Sequence, residues 1–478
     1  MELWCCFQFL WLRVVMRKWF NIKIVDDFSS DELSSDDEVE AHKEEGEEAQ
    51  DIEGGEVRQL QAPKNPDCIW PLPDEPRTDW PVVSADKVKQ QKDSLNTEHL
   101  RIAVGTWNVA GREPPKNLDL SDWLDSNGPV DIYVIGFQEI IPLTVGNVCG
   151  VDDIRPALSW QALIRETINR LEYNFDRTLM DNYIDCIKRP VALEDYNEQF
   201  LEDEAPEKPL LGLASNVSCT FSDACKKQAF YVRVASKQMV GIHISVWVRR
   251  NLCHFIHNLS VSCVGLGLMG CLGNKGSVAV SMRLHQTSFC FICSHLTSGS
   301  KQEDEKRRNW DAMQVLKRTH FPRSKNVAKD SLRSIWGHDR IIWLGDLNYR
   351  LNLMDDEIRL LVAKEDWTGL FKKDQLRKQS KKGRIFEGWH EGTITFPPTY
   401  KYEFESHQYA GENLKAGEKQ RSPAWCDRVL WHGKGVKLLA YRRGESTLSD
   451  HRPVMAVFLA EVKVFMLSKT QDINTDNI

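Results

Sequence analysis

Between residues 100 and 461 the sequence repeats short apolar runs of strand character, and several of them end in chemically loaded polar residues. The runs fall at 100–106, 131–138, 230–236, 239–249, 277–284, 288–294, 339–344, 427–432, 436–442 and 452–461. Helical periodicity is confined to 155–173, 301–319 and 354–363. Many strands with few helices do not fit a strict alternation of strand and helix. They predict stacked sheets flanked by helices, a four-layer α/β sandwich with two mixed β-sheets inside. In the 301–319 stretch, Trp310, Met313, Val315 and Leu316 cluster at helical spacing, which predicts a core-facing stripe.

Polar groups at strand ends gather on one edge of a sheet. DIYVIGF is followed by Gln138 and Glu139, RIIWL by Gly345-Asp346-Leu347-Asn348, and RPVMAVF is preceded by Ser449-Asp450-His451. An acid, an Asp-x-Asn pair and an Asp-His pair gathered there suit metal-assisted cleavage of a phosphate ester, which needs charge neutralisation, an oriented water and a proton handler at one point. Asn108, at the end of GTWN, adds a neutral oxygen that with Glu139 would hold Mg²⁺. Asp346 and Asn348, two residues apart, point the same way from an extended segment. His295 and His451 sit at strand boundaries, and Asp450 and Asp427 supply carboxylates that would orient and charge an imidazole.

Other patterns are weaker. The stretch Gly265 to Ser277 contains a GxGxxG but runs into a β-like segment, SVAVSMRL, where a dinucleotide fingerprint would open a helix. A lip offering backbone amides and Lys275 to an anion fits it better. Cys290 and Cys293 form a CxxC inside a strand, where alternation sends the two thiols to opposite faces and so to core packing. The thirteen cysteines have no framework spacing, which argues for reduced thiols and a cytosolic or nuclear setting.

The net charge of −7 is uneven. Asp26 to Glu53 carries fourteen Asp/Glu against one Lys, so the rest of the chain holds 61 Lys/Arg against 55 Asp/Glu and is mildly basic, which suits an anionic substrate. Residues 26–97, acidic and rich in Gly, Pro, Gln and Ser, read as a disordered linker, and 463–478 as a polar tail. Residues 1–25 are apolar and basic without an uncharged run long enough to span a bilayer or a cleavage site of secretory type. There Trp11, Val15, Trp19 and Ile22 share one helical face, which fits either a peripheral membrane contact or docking on the protein's own body. The basic run Lys372 to Arg384 reads equally as a solvated loop or a surface for anions.

In order, GTWNVAG, FQEI, GNKGSVAVSM, SHLTSG, GDLNYR, FPPTYKY, RSPAWCDRVLW and SDHRPV resemble the inositol polyphosphate 5-phosphatases, over residues 98–462. RKWFNIK followed by an acidic linker is similar to the plant type I enzymes. The resemblance implies a DNase I-like fold and a Mg²⁺ enzyme that ends phosphoinositide signals by removing the 5-phosphate from soluble inositol phosphates or phosphoinositide lipids. It implies Glu139 and Asn108 at the metal and Asp346 on the attacking water. His451 paired with Asp427 would sit on a phosphate oxygen, with Asn348 and His295 as further donors and Asp450 beside them. It places Tyr400, Lys401, Lys419 and Arg421 on the 4-phosphate and Asn274 and Lys275 on the 1-phosphate, with Arg350 and Arg428 as phosphate or structural contacts. A monomer is expected, cytoplasmic or peripheral at the plasma membrane, with no nucleic acid bound. A phosphodiesterase of the same fold, such as a nuclease, and a catalytically silent phosphoinositide-binding adaptor are the alternatives.

Overall fold

The computed structural model describes residues 95–188, 229–267, 270–322, 332–411 and 421–465. The apolar N-terminal segment, nearly all of the acidic linker and most of the polar tail lie outside the described residues. No helix among the described residues is long and apolar enough to cross a membrane.

Two six-stranded sheets form the centre. In the first, the order is β11 (Val436–Arg443), β12 (Val454–Phe465), β1 (Leu95–Asn108), β2 (Ile132–Gln138), β4 (Ile242–Arg249), β3 (Tyr231–Met239). In the second it is β5 (Ile256–Gly265), β6 (Gly276–Leu284), β7 (Thr287–His295), β8 (Arg340–Asp346), β10 (Asp427–His432), β9 (His390–Glu391). Each sheet has one parallel pair at its centre, β1 with β2 and β7 with β8, flanked by antiparallel neighbours. The helices are α1 (Ser121–Leu124), α2 (Val145–Cys149), α3 (Arg155–Lys188), α4 (Gln302–Arg318), α5 (Asp355–Ala363), α6 (Trp367–Phe371) and α7 (Gln375–Lys381).

Period-two alternation assembles the layers. Ile132 and Val134 of β2 face the second sheet, while Tyr133, Ile135 and Phe137 face α3, packing with Trp107, Trp123, Trp160 and Ile164. On β7, Phe289, Phe291 and Cys293 enter the inter-sheet core, and Cys290 and Ile292 turn to the α4 side with Ala312 and Val315. The two thiols of the CxxC therefore lie in different layers. At Gly136 the sheets come so close that a β-carbon would sit 2.7 Å from Cys293 Sγ and 2.8 Å from Leu344 Cδ1.

Several elements differ from expectation. β5 was not anticipated: it is an edge strand whose residues are mostly half-exposed on both faces, so it lacks alternation. The basic run at 372–384 contains the short helix α7, capped where the Asp374 carboxylate accepts from Arg377 N at 2.8 Å. On α4, Trp310 (36 % exposed) and Met313 (49 %) lie outside, not in the core; the inward side is built from Glu305, Arg308, Asp311, Ala312 and Val315.

Candidate active site

Strand direction brings the polar ends together. β1, β2, β7 and β8 all finish at one edge, at Asn108, Gln138, His295 and Asp346, and the antiparallel β10 starts there with Asp427. Register places Gly276 beside His295, His295 beside Asp346, and Asp346 beside Asp427. His451 arrives from the other sheet, just before β12, and its carbonyl accepts from Trp107 Nε1 at 3.1 Å. Ser449 Oγ donates to Asn108 O at 2.7 Å and accepts from His451 N at 3.2 Å, so the SDH segment is stitched to the end of β1.

Asp346 is the centre. Its Oδ1 accepts from Asn348 N at 2.9 Å, and its Oδ2 accepts from Asn108 Nδ2 at 3.1 Å. The same Oδ2 lies 3.3 Å from His295 Nε2 and 4.0 Å from His451 Nε2. Burial alone would push this carboxyl up, but the hydrogen bond and charge of His295, with the charges of His451 and Lys275, hold it far below the usual carboxylate range.

His451 Nδ1 lies 2.8 Å from Asp427 Oδ2, which also accepts from Thr399 Oγ1 at 2.7 Å. Burial would depress the imidazole, yet the Asp427 charge and hydrogen bond, with Asp346 and Asp450, raise it to about 9. Burial raises Asp427 as well, partly offset by His451. Both directions mean that the pair retains a proton at neutral pH, and with Nδ1 committed to Asp427 the Nε2–H faces the Asp346 side of the cleft.

Glu139 and Asn348 both hold positive φ, 50° and 56°. Such backbone costs a non-glycine residue about 1–3 kcal/mol and gathers at functional sites. Asn348 Nδ2 donates to Leu296 O at 3.1 Å, while its Oδ1 accepts from Arg350 Nη2 at 2.6 Å.

Glu139 Oε1 and Asp346 Oδ2 converge on Asn108 Nδ2, at 3.4 and 3.1 Å, and on His295 Nε2, at 3.8 and 3.3 Å. Two carboxylate oxygens sharing one small polar space suit a hard divalent cation. Asn108 departs from its expected ligand role: its Oδ1 accepts from Ala110 N at 3.0 Å, so it turns its amino group to the carboxylates. Ligand atoms of Asp346, Asp427 and His451 also lie within 4.8 Å of one another, but the Asp427–His451 hydrogen bond accounts for that closeness without a metal.

The residues expected to bind the other phosphates are placed unevenly. Lys401 stands at the mouth with Nζ 3.4 Å from Asp450 Oδ2. Arg421 is half-buried and Lys419 lies outside the described residues. Lys275 is buried deeper than a rim contact, its Nζ 2.6 Å from His295 Nε2. Asn274 is tucked against Gly267, where a β-carbon would collide with its Oδ1.

One placement, that of Tyr400, corrects the sequence reading, and two decide for a structural role where phosphate or structural contact was open. Arg428 is fully buried, with its guanidinium committed to Asp374, Glu391 and the Trp425 carbonyl, and presents nothing to a ligand. Tyr400 is buried behind His451, ring centroids 4.6 Å apart, and does not reach out as a phosphate clasp. Arg350 stacks on Tyr400 at 4.4 Å and braces Asn348, a supporting role inside the site. Thr399 and Trp107, which hold Asp427 and the His451 backbone, were not singled out from sequence; Thr399 stands immediately before Tyr400 in the FPPTYKY motif, the one signal that pointed to it.

Comparison with known proteins agrees with this geometry. The model of Endonuclease/Exonuclease/phosphatase family 2 matches residues 105–188 and 198–457. The type I inositol polyphosphate 5-phosphatase 4 of Arabidopsis thaliana is 41% identical, the match covering 95% of this chain and 91% of that protein. The type IV inositol polyphosphate 5-phosphatase 7 of the same plant is 38% identical over 95% of this chain and 92% of its own. Among solved structures, the inositol polyphosphate 5-phosphatase domain of SPsynaptojanin, in complex with inositol (1,4)-bisphosphate and calcium ion, superposes with a TM-score of 0.58 at 27% identity, covering 80% of this chain and 90% of that one. A two-sheet fold with an acid- and histidine-lined edge thus defines a phosphate-ester hydrolase of the DNase I-like class. Within that class, the chain belongs to the inositol polyphosphate 5-phosphatases.

Proposed function

We propose that this enzyme removes the 5-phosphate from inositol 1,4,5-trisphosphate, inositol 1,3,4,5-tetrakisphosphate and phosphatidylinositol 4,5-bisphosphate with Mg²⁺, ending a phosphoinositide signal. The observation that carries this reading is the row His295–Asp346–Asp427 across β7, β8 and β10, with His451 Nδ1 on Asp427 and its Nε2 facing Asp346. Such a row can hold a phosphoryl group from two sides.

Asp346, fixed through both oxygens, orients the attacking water. His451 Nε2–H donates to a phosphoryl oxygen and stabilises the charge that builds as the phosphorus becomes five-coordinate. Asp427 and Thr399 keep that imidazole charged and aimed. Glu139 and Asp346 would hold Mg²⁺, which when bound supplies charge neutralisation at the phosphate and leaving oxygen. Lys401 at the mouth is suited to a neighbouring ring phosphate. Water attacks directly and no phosphoenzyme forms. The molecule acts as a monomer in the cytoplasm or at the plasma membrane.

The test is phosphate release, with Mg²⁺ and with EDTA, from each inositol phosphate in solution and from the lipid in vesicles. Metal-dependent release that leaves the 1- and 4-phosphates on the ring supports the reading. Release of any other phosphate, or undiminished turnover in EDTA, overturns it.

A further inference from the structure

The function described so far leaves the outer face of α4 unexplained. Its inward side places Ala312 and Val315 in the core beside buried polar groups: Arg308 donates to Thr297 O, Gly299 O and Gln375 Oε1, and Asp311 accepts from the Thr297 backbone and hydroxyl. Trp310 and Met313, two of its large apolar side chains, point the other way. Trp310 and Met313 lie in the open, 36 % and 49 % exposed, and one turn to either side on the same face stand Lys306, Arg307 and Lys317, all exposed. The Arg307 guanidinium covers the Trp310 ring at 4.6 Å, and its Nε lies 3.4 Å from the buried Asp311 carboxylate. An exposed Trp and Met set in a ring of cations is the residue pattern of a helix lying in a lipid headgroup layer.

The surroundings extend the pattern. α7 packs beside α4 through Asn309 Nδ2, which donates to Gln379 Oε1 at 3.0 Å, and shows Lys378 and Lys381 to solvent; no acid occurs from 375 to 386. Glu303, near the start of α4, is the exposed acid on this helix, while Asp304 is engaged in the cap through Lys301 N. The face also borders the catalytic rim. Arg318 Nη1 donates to Gly270 O at 3.1 Å, a β-carbon at Gly270 would sit 3.8 Å from the Trp310 ring, and the loop from Gly270 leads to Lys275 beside His295.

We infer that the outer face of α4, with the basic end of α7, is a docking surface for an anionic lipid bilayer, with Trp310 and Met313 entering the headgroup layer and Arg307 and Lys317 facing the lipid phosphates. Charge complementarity selects a membrane over an apolar protein partner. The surface holds the catalytic rim near the lipid whatever the preferred headgroup, so it does not depend on the substrate assignment.

The experiment is co-sedimentation of the full chain with phosphatidylcholine vesicles with and without phosphatidylserine, free of phosphoinositides so that the active site contributes nothing. Two double variants, Trp310→Ala/Met313→Ala and Arg307→Gln/Lys317→Gln, are compared with the unmodified chain, and turnover of soluble inositol 1,4,5-trisphosphate reports integrity. Phosphatidylserine-dependent binding that falls roughly tenfold in both variants, with soluble turnover retained, is expected. Failure of the unmodified chain to bind, or binding unchanged in the charge variant, overturns the inference; the second outcome assigns membrane contact to another segment. Should the Trp/Met variant lose soluble turnover, the charge variant alone decides. Absence of soluble turnover in every protein, with binding as expected, contradicts the proposed reaction and leaves the docking surface standing.

Discussion

Asp346 and Asp427 are direct register partners on β8 and β10, and their carboxylates address the same imidazole from opposite ends, Asp427 Oδ2 2.8 Å from His451 Nδ1 and Asp346 Oδ2 4.0 Å from Nε2. A ladder pairing within one sheet thus sets the spacing of the two acids, and the other sheet supplies the imidazole between them. Catalytic geometry here is a property of the sandwich and not of any one loop. Displacing the layers near this edge should therefore reach activity as well as stability.

Gly136 tests the layers. With Cys293 Sγ and Leu344 Cδ1 at 2.7 and 2.8 Å from its absent β-carbon, Gly136→Ala must push the sheets apart. We expect a loss of about 1–3 kcal/mol in denaturant unfolding, together with a fall in kcat per folded molecule, because His451 comes from one sheet and Asp346 and Asp427 from the other.

Arg428 separates a structural cation from a substrate contact. Breaking its buried pairs with Asp374 and Glu391 leaves uncompensated charge, and Arg428→Met should cost roughly 3–5 kcal/mol of stability. KM of whatever folds should not change. A raised KM with an unaltered melting temperature would return Arg428 to the binding surface.

Arg350 should behave differently, because it braces Asn348 and Tyr400 at once. Arg350→Lys retains a cation but loses the bidentate reach. kcat is expected to fall on the order of a hundredfold, as for a misplaced catalytic group, with KM altered little, and steady-state kinetics on a soluble substrate reads both.

Much of the site could be read from sequence because Asn108, Glu139, His295, Asp346, Asp427 and His451 stand where apolar runs begin or end, and strand direction then brings such positions to one edge. The outward face of α4 could not. Its buried side mixes Ala312 and Val315 with Glu305, Arg308 and Asp311, so hydrophobic periodicity placed Val315 and Leu316 correctly and misplaced Trp310 and Met313. β5 escaped because an edge strand exposed on both faces carries no alternation. Tyr400 and Arg428 lie in motifs whose composition suggests phosphate binding, and only packing distinguishes a cation facing a ligand from one buried against Asp374.

Acid sensitivity has an identifiable contributor away from the site. Burial, with the charge of Arg233, lowers His243 to about 3, against 6.5 for the free side chain. As pH falls below 6.5 the unfolded chain takes up this proton and the native chain does not, so stability is lost at up to about 1.4 kcal/mol per pH unit. The loss ends near the native value. His243→Gln, which keeps a partner for Gln161, should flatten the fall in urea midpoint between neutral pH and mild acid. Equal slopes for both proteins would exclude His243 as the cause.

The most direct test of the central claim is a double-mutant cycle on phosphate release, with Asp427→Asn, His451→Ala and the pair together, each checked for a retained melting transition. If Asp427 acts through His451, each single change costs at least about a hundredfold in kcat and the double variant is scarcely worse than His451→Ala. Losses that multiply in the double variant would show the two residues acting independently and would contradict the account.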